Sequence, residues 1–212
     1  MTQEAPKHDH LIELIVATPE NTKEVGWFIN DYEDIPESAR INIPFYAHVT
    51  EGAILEKAVW DDPVVRLAKI RWSDNNQIEW LERHMRTTQG FLLIGKHPGL
   101  LILGEATHDR EGLIEEERDF PDYNTIKGYI IPPGCGIIIK KGIWHDFPVS
   151  CGPDVTVLTI NTREVVEALM SMKKPAPMDF GDCYKVRISD RHPDIILRFP
   201  DPRAYVQSME CG

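Results

Sequence analysis

Gly90-Phe-Leu-Leu-Ile94-Gly-Lys-His97-Pro98-Gly99-Leu100-Leu-Ile-Leu103 holds two short apolar runs separated by a proline and glycines. Each run is too short for an ordinary helix and suits a buried strand, and His97-Pro98-Gly99 between them is read as a hairpin turn. The same punctuation extends in both directions. Apolar or alternating runs span Ile41 to Val49, Val64 to Trp72, Gly90 to Ile94, Leu100 to Leu103, Ile126 to Ile131, Gly136 to Ile139 and Val155 to Ile160, with Pro132-Pro133-Gly134 breaking the chain before one of them. Strands this short and this regularly spaced predict an all-β barrel or sandwich.

The flanks carry different signals. Leu11 to Val16 reads as a strand, and Thr18-Pro19-Glu20 as a helix N-cap followed by a permitted proline, opening a short helix through Trp27 and Phe28. The polar, acidic stretch from Glu105 to Asn124, with Glu115-Glu116-Glu117, reads as a solvated surface loop. Thr162 caps a helix whose Val165, Val166, Leu169 and Met170 fall at helical spacing. Beyond Pro177, Tyr184 to Ile188 and Ile195 to Leu197 are strand-like and suited to extending a sheet or reaching a partner subunit. The expected organisation is a decoration over residues 1–40, a barrel over 41–161, and a closing helix with a C-terminal extension over 162–212, all in one structural domain.

At 212 residues with 42% hydrophobic content, the chain suits a single substantial core. Its net charge of -11 opposes binding to nucleic-acid phosphates and to anionic bilayers. No apolar run approaches the roughly 20 residues needed to span a bilayer, and the polar N-terminus lacks a signal-peptide core, so the expected location is the cytoplasm. Cys135, Cys151, Cys183 and Cys211 are scattered without CxxC pairing and suggest neither a zinc site nor a disulfide framework.

Chemistry concentrates in two segments. One is Trp80-Leu-Glu82-Arg83-His84-Met-Arg86-Thr-Thr88-Gln89-Gly-Phe91, the other Lys140-Lys141-Gly142-Ile-Trp144-His145-Asp146-Phe-Pro148. Imidazole titrates near neutral pH and binds borderline metals, so His84 and His145, each near carboxylates at a strand entry, suit general-base or ligand roles. Glu82 is a ligand or acid-base group, or else pairs with Arg83 or Arg86 at the surface. Gln89 either orients a carbonyl or carboxylate through its amide or satisfies backbone groups. Asp146 holds a ring tautomer, acts as a base, or solvates a loop. His8, His10, His97, His108 and His192 sit in polar tails or turns and receive no role.

The first segment resembles the first cupin motif, with Glu82 where that pattern has its first histidine and Gln89 where it has its glutamate; Gly142-Ile-Trp-His145 resembles the later one. A closer similarity is to the ureidoglycolate lyase family, cupin-fold enzymes that split ureidoglycolate into glyoxylate and urea. It rests on Leu81-Glu82-Arg83-His84, Thr88-Gln89-Gly-Phe91 and Trp144-His145-x-x-Pro148, with a fainter echo in Ile41-Asn42 and Tyr46-Ala-His48. It spans approximately Ile41 to Asn161. Asp146 stands where members commonly carry another histidine, and Met85-Arg86 replaces a Pro-Leu type dipeptide.

The resemblance implies a mainly β, cupin-type barrel or jelly roll with a few short helices. It also implies a lyase acting on a small hydroxy acid, with a divalent ion (nickel, manganese or zinc) held by His84, Gln89 and His145. Glu82, His84, His145 and Asp146 are the expected catalytic groups, and Asn42, Arg86, Gln89 and Lys140 the expected substrate contacts, Arg86 and Lys140 as cationic clamps for a carboxylate. Two other readings stay open: a cupin lyase, isomerase or hydrolase acting on another hydroxy, keto or sugar acid, and a catalytically silent ligand-binding cupin. A homodimer is expected, paired through exposed strand edges, with the tail available as an exchanged strand.

Overall fold

The computed structural model describes residues 7–31, 35–45, 48–52 and 58–209. The chain runs through β1 (His8–Leu11), β2 (Glu13–Val16), α1 (Pro19–Thr22) and β3 (Gly26–Ile29), then β4 (Arg40–Asn42) and β5 (Thr50–Gly52). Next come β6 (Pro63–Ile70), β7 (Gln77–Ile78), β8 (Trp80–Arg83), β9 (Gln89–Ile94), β10 (Gly99–Gly104) and α2 (Glu115–Arg118). They are followed by β11 (Lys127–Ile131), β12 (Gly136–Ile139), β13 (Trp144–His145), β14 (Val149–Ser150) and β15 (Val155–Thr162). The last stretch holds α3 (Arg163–Ser171), β16 (Met178–Phe180), β17 (Cys183–Arg187), α4 (Ile188–Arg191), β18 (Ile195–Arg198) and α5 (Arg203–Met209).

Two sheets form a cupin-type sandwich. One has the order β3-β12-β9-β15-β6; the other runs β16-β17-β8-β13-β10-β11-β2, with β14 also paired to β10. Alternation along each strand divides the apolar residues between two cores. Phe91, Leu93, Ile137 and Val157 of the first sheet meet Leu101, Leu103, Tyr129 and Ile131 of the second. On the far face of the second sheet, Leu81, Leu100, Ile102, Ile130 and Trp144 pack against Ile12, Ile78, Leu197 and Phe199. A third sheet, β1-β18-β7, supplies part of that outer cover.

Several expectations need correction. Thr18 caps α1 as read, with Asn21 completing a capping box, but the helix ends at Thr22. Trp27 and Phe28 lie in β3, where pairing with Ile138 and Ile137 of β12 overrides the local helical signal. The Leu11 to Val16 segment is two strands, because the chain passes at Ile12 from β18 to β11. Among the described residues Ile41 to Val49 does not run as one strand; Arg40–Asn42 pairs with Thr50–Gly52. His97-Pro98-Gly99 is not a hairpin turn, since β9 pairs with β12 and β15 while β10 pairs with β11, β13 and β14; the segment carries the chain from one sheet to the other. The acidic stretch from Glu105 to Asn124 is not all loop, for it contains α2 and buries Phe120.

Other expectations agree with the structure. Thr162 caps α3 as read, but of the apolar residues spaced along it Val165 is buried while Leu169 and Met170 are exposed. The tail strands extend sheets of their own chain: β17 pairs with β8, and β18 with β1 and β7. Cys151 and Cys183 are free thiols, while Cys211 and Tyr46 lie outside the described residues.

Candidate active site

Strand pairing assembles the site from distant parts of the chain. Lys185 lies opposite Glu82, and Glu82 opposite His145, in one row across β17, β8 and β13. The row continues to Leu103, a member of the inner core, so these polar side chains share the face between the two sheets. Gln89 reaches the same space from the opposing sheet. Arg83, one residue beyond Glu82, takes the other face. Its guanidinium lies 4.6 Å from the Trp144 ring centre and 4.8 Å from that of Tyr184, and donates to the Arg118 carbonyl at 2.6 Å and the Asp119 carboxylate at 2.8 Å.

Two turns fix His84 just past the end of β8. The N–H of Gly142 donates to the His84 carbonyl at 2.7 Å. Gly142 has φ +78° and a Cβ there would stand 2.3 Å from the His108 ring, so both conformation and space require glycine. The second turn is Gly181-Asp182, which joins β16 to β17 with φ of 64° and 54°, as a two-residue hairpin of the primed type demands. The Asp182 carboxylate accepts the N–H of Met85, Arg86 and Thr87 at 3.0, 3.0 and 3.1 Å and the Thr87 hydroxyl at 2.9 Å. The Asp182 carbonyl lies 2.6 Å from His84 Nδ1.

These backbone contacts determine the tautomers. A carbonyl only accepts, so His84 Nδ1 donates to Asp182, and His145 Nδ1 donates to the Ile143 carbonyl at 2.9 Å. In a neutral ring each Nε2 is therefore a bare lone pair. Both face Gln89 Oε1, at 3.0 Å from His84 and 2.6 Å from His145, and Glu82 Oε1 stands 4.0 and 3.7 Å from the same two nitrogens. Four lone-pair atoms converging in a buried space repel unless a proton or a cation lies among them or the Gln89 amide is reversed. With each Nδ1–H anchored to a carbonyl, this is the arrangement of a histidine-carboxylate metal site, and Glu82, His84 and His145 offer ligand atoms within 4.8 Å of one another. The residues present thus fit a divalent ion.

Electrostatics sharpen the picture. Burial alone would raise the Glu82 carboxyl, but the Lys185 ammonium, followed by the two imidazoles, outweighs it and lowers the pKa to about 2. Burial, then the neighbouring His84, lowers His145 to about 4, against the weaker opposing pull of Glu82, so that ring is neutral at pH 7. Lys185 itself is raised, since Glu82 and Asp146 overcome the effect of its burial. Glu82 divides its oxygens: Oε1 faces the histidines while Oε2 takes Lys185 at 3.0 Å.

Of the residues singled out in the sequence, the structure brings together Glu82, His84, Gln89 and His145. Asp146 stands beside them without touching His145; its carboxylate accepts the Phe147 N–H at 2.8 Å and lies 3.4 Å from Lys185. The reading of Glu82 as a surface partner of Arg83 or Arg86 is wrong, because Glu82 is buried against Lys185. Arg86 is exposed and forms a double hydrogen bond to Glu164. Lys140 donates to the Lys23 carbonyl and covers Trp27. Asn42 is exposed on the β4–β5 ribbon, and His48 is exposed between those strands. The sequence reading missed Lys185 and Asp182. Gly181-Asp182 between two strand-like runs was a readable hairpin signal, but nothing local marks which strand that hairpin joins.

A cleft of about 410 Å³ lies beside the row, lined by Trp80, Leu169, Met172, Lys173, Lys174, Pro175, Ala176, Met178 and Lys185. Among the described residues Lys185 alone belongs to both the buried group and this cleft. Compared with known proteins, residues 68–173 match the family model described as ureidoglycolate lyase. That segment contains Glu82, His84, Gln89, His145 and Asp146 and ends before Asp182 and Lys185. A search of curated proteins gave no match.

Proposed function

The chain belongs to the ureidoglycolate lyase family, and from that premise we propose that it cleaves ureidoglycolate to glyoxylate and urea through the buried histidine group. The observation that carries this reading is the convergence of His84 Nε2, His145 Nε2, Gln89 Oε1 and Glu82 Oε1, inside the matched segment, with both histidine tautomers set by backbone carbonyls. Glu82, His84, Gln89 and His145 would hold a divalent ion, nickel, manganese or zinc, whose chemistry there is Lewis-acid polarisation of the oxygens of a hydroxy acid.

The chain's own groups account for the remaining work. Loss of urea needs a proton to leave the substrate hydroxyl as its carbon–oxygen bond becomes a carbonyl, while the carbon–nitrogen bond breaks and a proton is delivered to the urea nitrogen. Asp146, held by Lys185 at the edge of the buried group, takes the first proton and returns it to the leaving nitrogen. Ionised Glu82 and the two imidazoles stay fixed by Lys185, Asp182 and Ile143. The apolar walls of the sandwich exclude bulk water, which strengthens each of these interactions.

The same reading makes this a cytoplasmic homodimer, with a small hydroxy acid as its ligand. Its net charge of -11 disfavours nucleic acid and anionic membranes, and among the described residues no helix is long and apolar enough to cross a membrane. The dimer is supported by the outer face of the β6-β15-β9 sheet, where cross-strand register sets Val65 beside Ile160 and Leu67 beside Leu158, with Val65, Leu67 and Ile94 exposed. His84→Ala and His145→Ala test the catalytic assignment: each should abolish turnover in a protein that still folds, and two folded, fully active variants would overturn it.

A further inference from the structure

We propose that Lys185 is the carboxylate anchor of the active site and that the adjoining cleft is the route by which the anionic substrate reaches it. This inference rests on the lyase reading and adds to it a residue outside the matched 68–173 segment. An α-hydroxy acid needs a cation for its carboxylate, and the two cations the sequence offered do not serve: Arg86 is engaged by Glu164, and Lys140 covers Trp27. Lys185 is placed for the task.

Two of its three N–H donors go to Glu82 Oε2 at 3.0 Å and Asp146 Oδ1 at 3.4 Å, which leaves one. About one fifth of the side chain is exposed, and it forms part of the cleft wall. The cleft lies on the same sheet face as the buried group: Trp80 is two residues before Glu82 on β8, and Met178 is opposite Lys185 on β16.

Charge supports the same assignment. Glu82 and Asp146 carry two negative charges against the one positive charge of Lys185, so a divalent ion leaves the group one charge positive and an incoming carboxylate neutralises it. Without Lys185 the loaded group would be neutral and would hold an anion less strongly. Lys173 and Lys174 at the rim add an attractive field for an anion in an otherwise acidic protein. The apolar side chains that line the cleft, Met172, Pro175, Ala176 and Met178 among them, offer no competing partner for the carboxylate.

The test measures glyoxylate binding by calorimetry and ureidoglycolate kinetics on the metal-loaded full chain. Lys185→Met should raise both the glyoxylate Kd and the substrate KM by about 10- to 100-fold, the scale of one lost charge-assisted hydrogen bond, with a smaller change in kcat. Lys185→Arg should recover most of the binding. Because Lys185→Met also removes the counter-charge of buried Glu82, Ala176→Trp provides a second arm: an indole in the cleft should raise KM and slow glyoxylate association while metal content and melting temperature stay unchanged. Wild-type glyoxylate affinity in Lys185→Met overturns the anchor, and wild-type KM and association rate in Ala176→Trp overturn the route. If the wild-type protein releases no glyoxylate, the lyase reading fails by itself, and the binding comparison still decides whether Lys185 is a carboxylate site.

Discussion

Replacing Asp182 with alanine should loosen the active site from a position no substrate touches. The carboxylate accepts three successive backbone N–H groups and the Thr87 hydroxyl. Met85 and Arg86 border solvent, so water can take over part of their bonding, whereas Thr87 is buried and loses both its N–H and its hydroxyl partner. Counting only the Thr87 pair gives about 3 kcal/mol for bonds to a charged acceptor, and an alanine at φ 54° adds about 1 kcal/mol of backbone strain. A loss of about 4 kcal/mol corresponds to a melting temperature lower by roughly 8–16 °C for a chain of this size. Asp182→Asn tolerates the positive φ and keeps one acceptor oxygen, so it should fall between the two. The His84 anchor is the Asp182 carbonyl, which survives either substitution, but its position depends on the same turn, so turnover should fall along with stability. Differential scanning calorimetry with parallel assays measures both. An Asp182→Ala protein melting within about 2 °C of wild type would refute the reasoning.

Three further outcomes follow from the structure. Arg83→Met should cost about 2–4 kcal/mol in urea unfolding, since it takes the charged donor from Asp119, leaves the Arg118 carbonyl to the Thr107 hydroxyl alone, and removes the cation packed on Trp144 and Tyr184; an unchanged midpoint would contradict the packing described. Gly181→Val should destabilise by at least about 2 kcal/mol, because a Cβ there meets the Ala168 Cβ at 2.5 Å in a backbone with φ +64°, and a neutral effect on melting would count against the α3 contact. The metal-free protein should lose stability as pH falls from 6.5 toward 4: unfolded His145 binds a proton near 6.5, whereas the folded ring stays neutral until about 4, a difference of about 3 kcal/mol. Urea midpoints that stay flat or rise between pH 7 and 4.5 would show that the ring is not held neutral.

What the sequence revealed and what it concealed follow from the range of the interactions. The strands around Gly90 to Ile94, Leu100 to Leu103 and Gly136 to Ile139 were legible because apolar runs and Pro-Gly breaks are local signals. Their partners were not: His97-Pro98-Gly99 marks a change of direction, but only tertiary packing decides that the chain enters the other sheet there. Trp27 and Phe28 were drawn into a helix because the Thr18 cap is genuine, while a helix of one turn leaves too little pattern to show where it stops. Glu82, His84, Gln89 and His145 were readable because each lies in a compact motif near a strand. Lys185 and Asp182 were hidden because they meet Glu82 and His84 across 103 and 98 residues of chain, through the pairing of β17 with β8. A cation for the substrate was expected on chemical grounds at Arg86 and Lys140; strand register places another lysine, Lys185, beside Glu82.

The central claim is most directly tested by urea and glyoxylate release from racemic ureidoglycolate by the purified protein, before and after chelation and again after adding back nickel, manganese or zinc. The account expects release that chelation abolishes and one of these ions restores. No release from a folded protein under any of these conditions would contradict it.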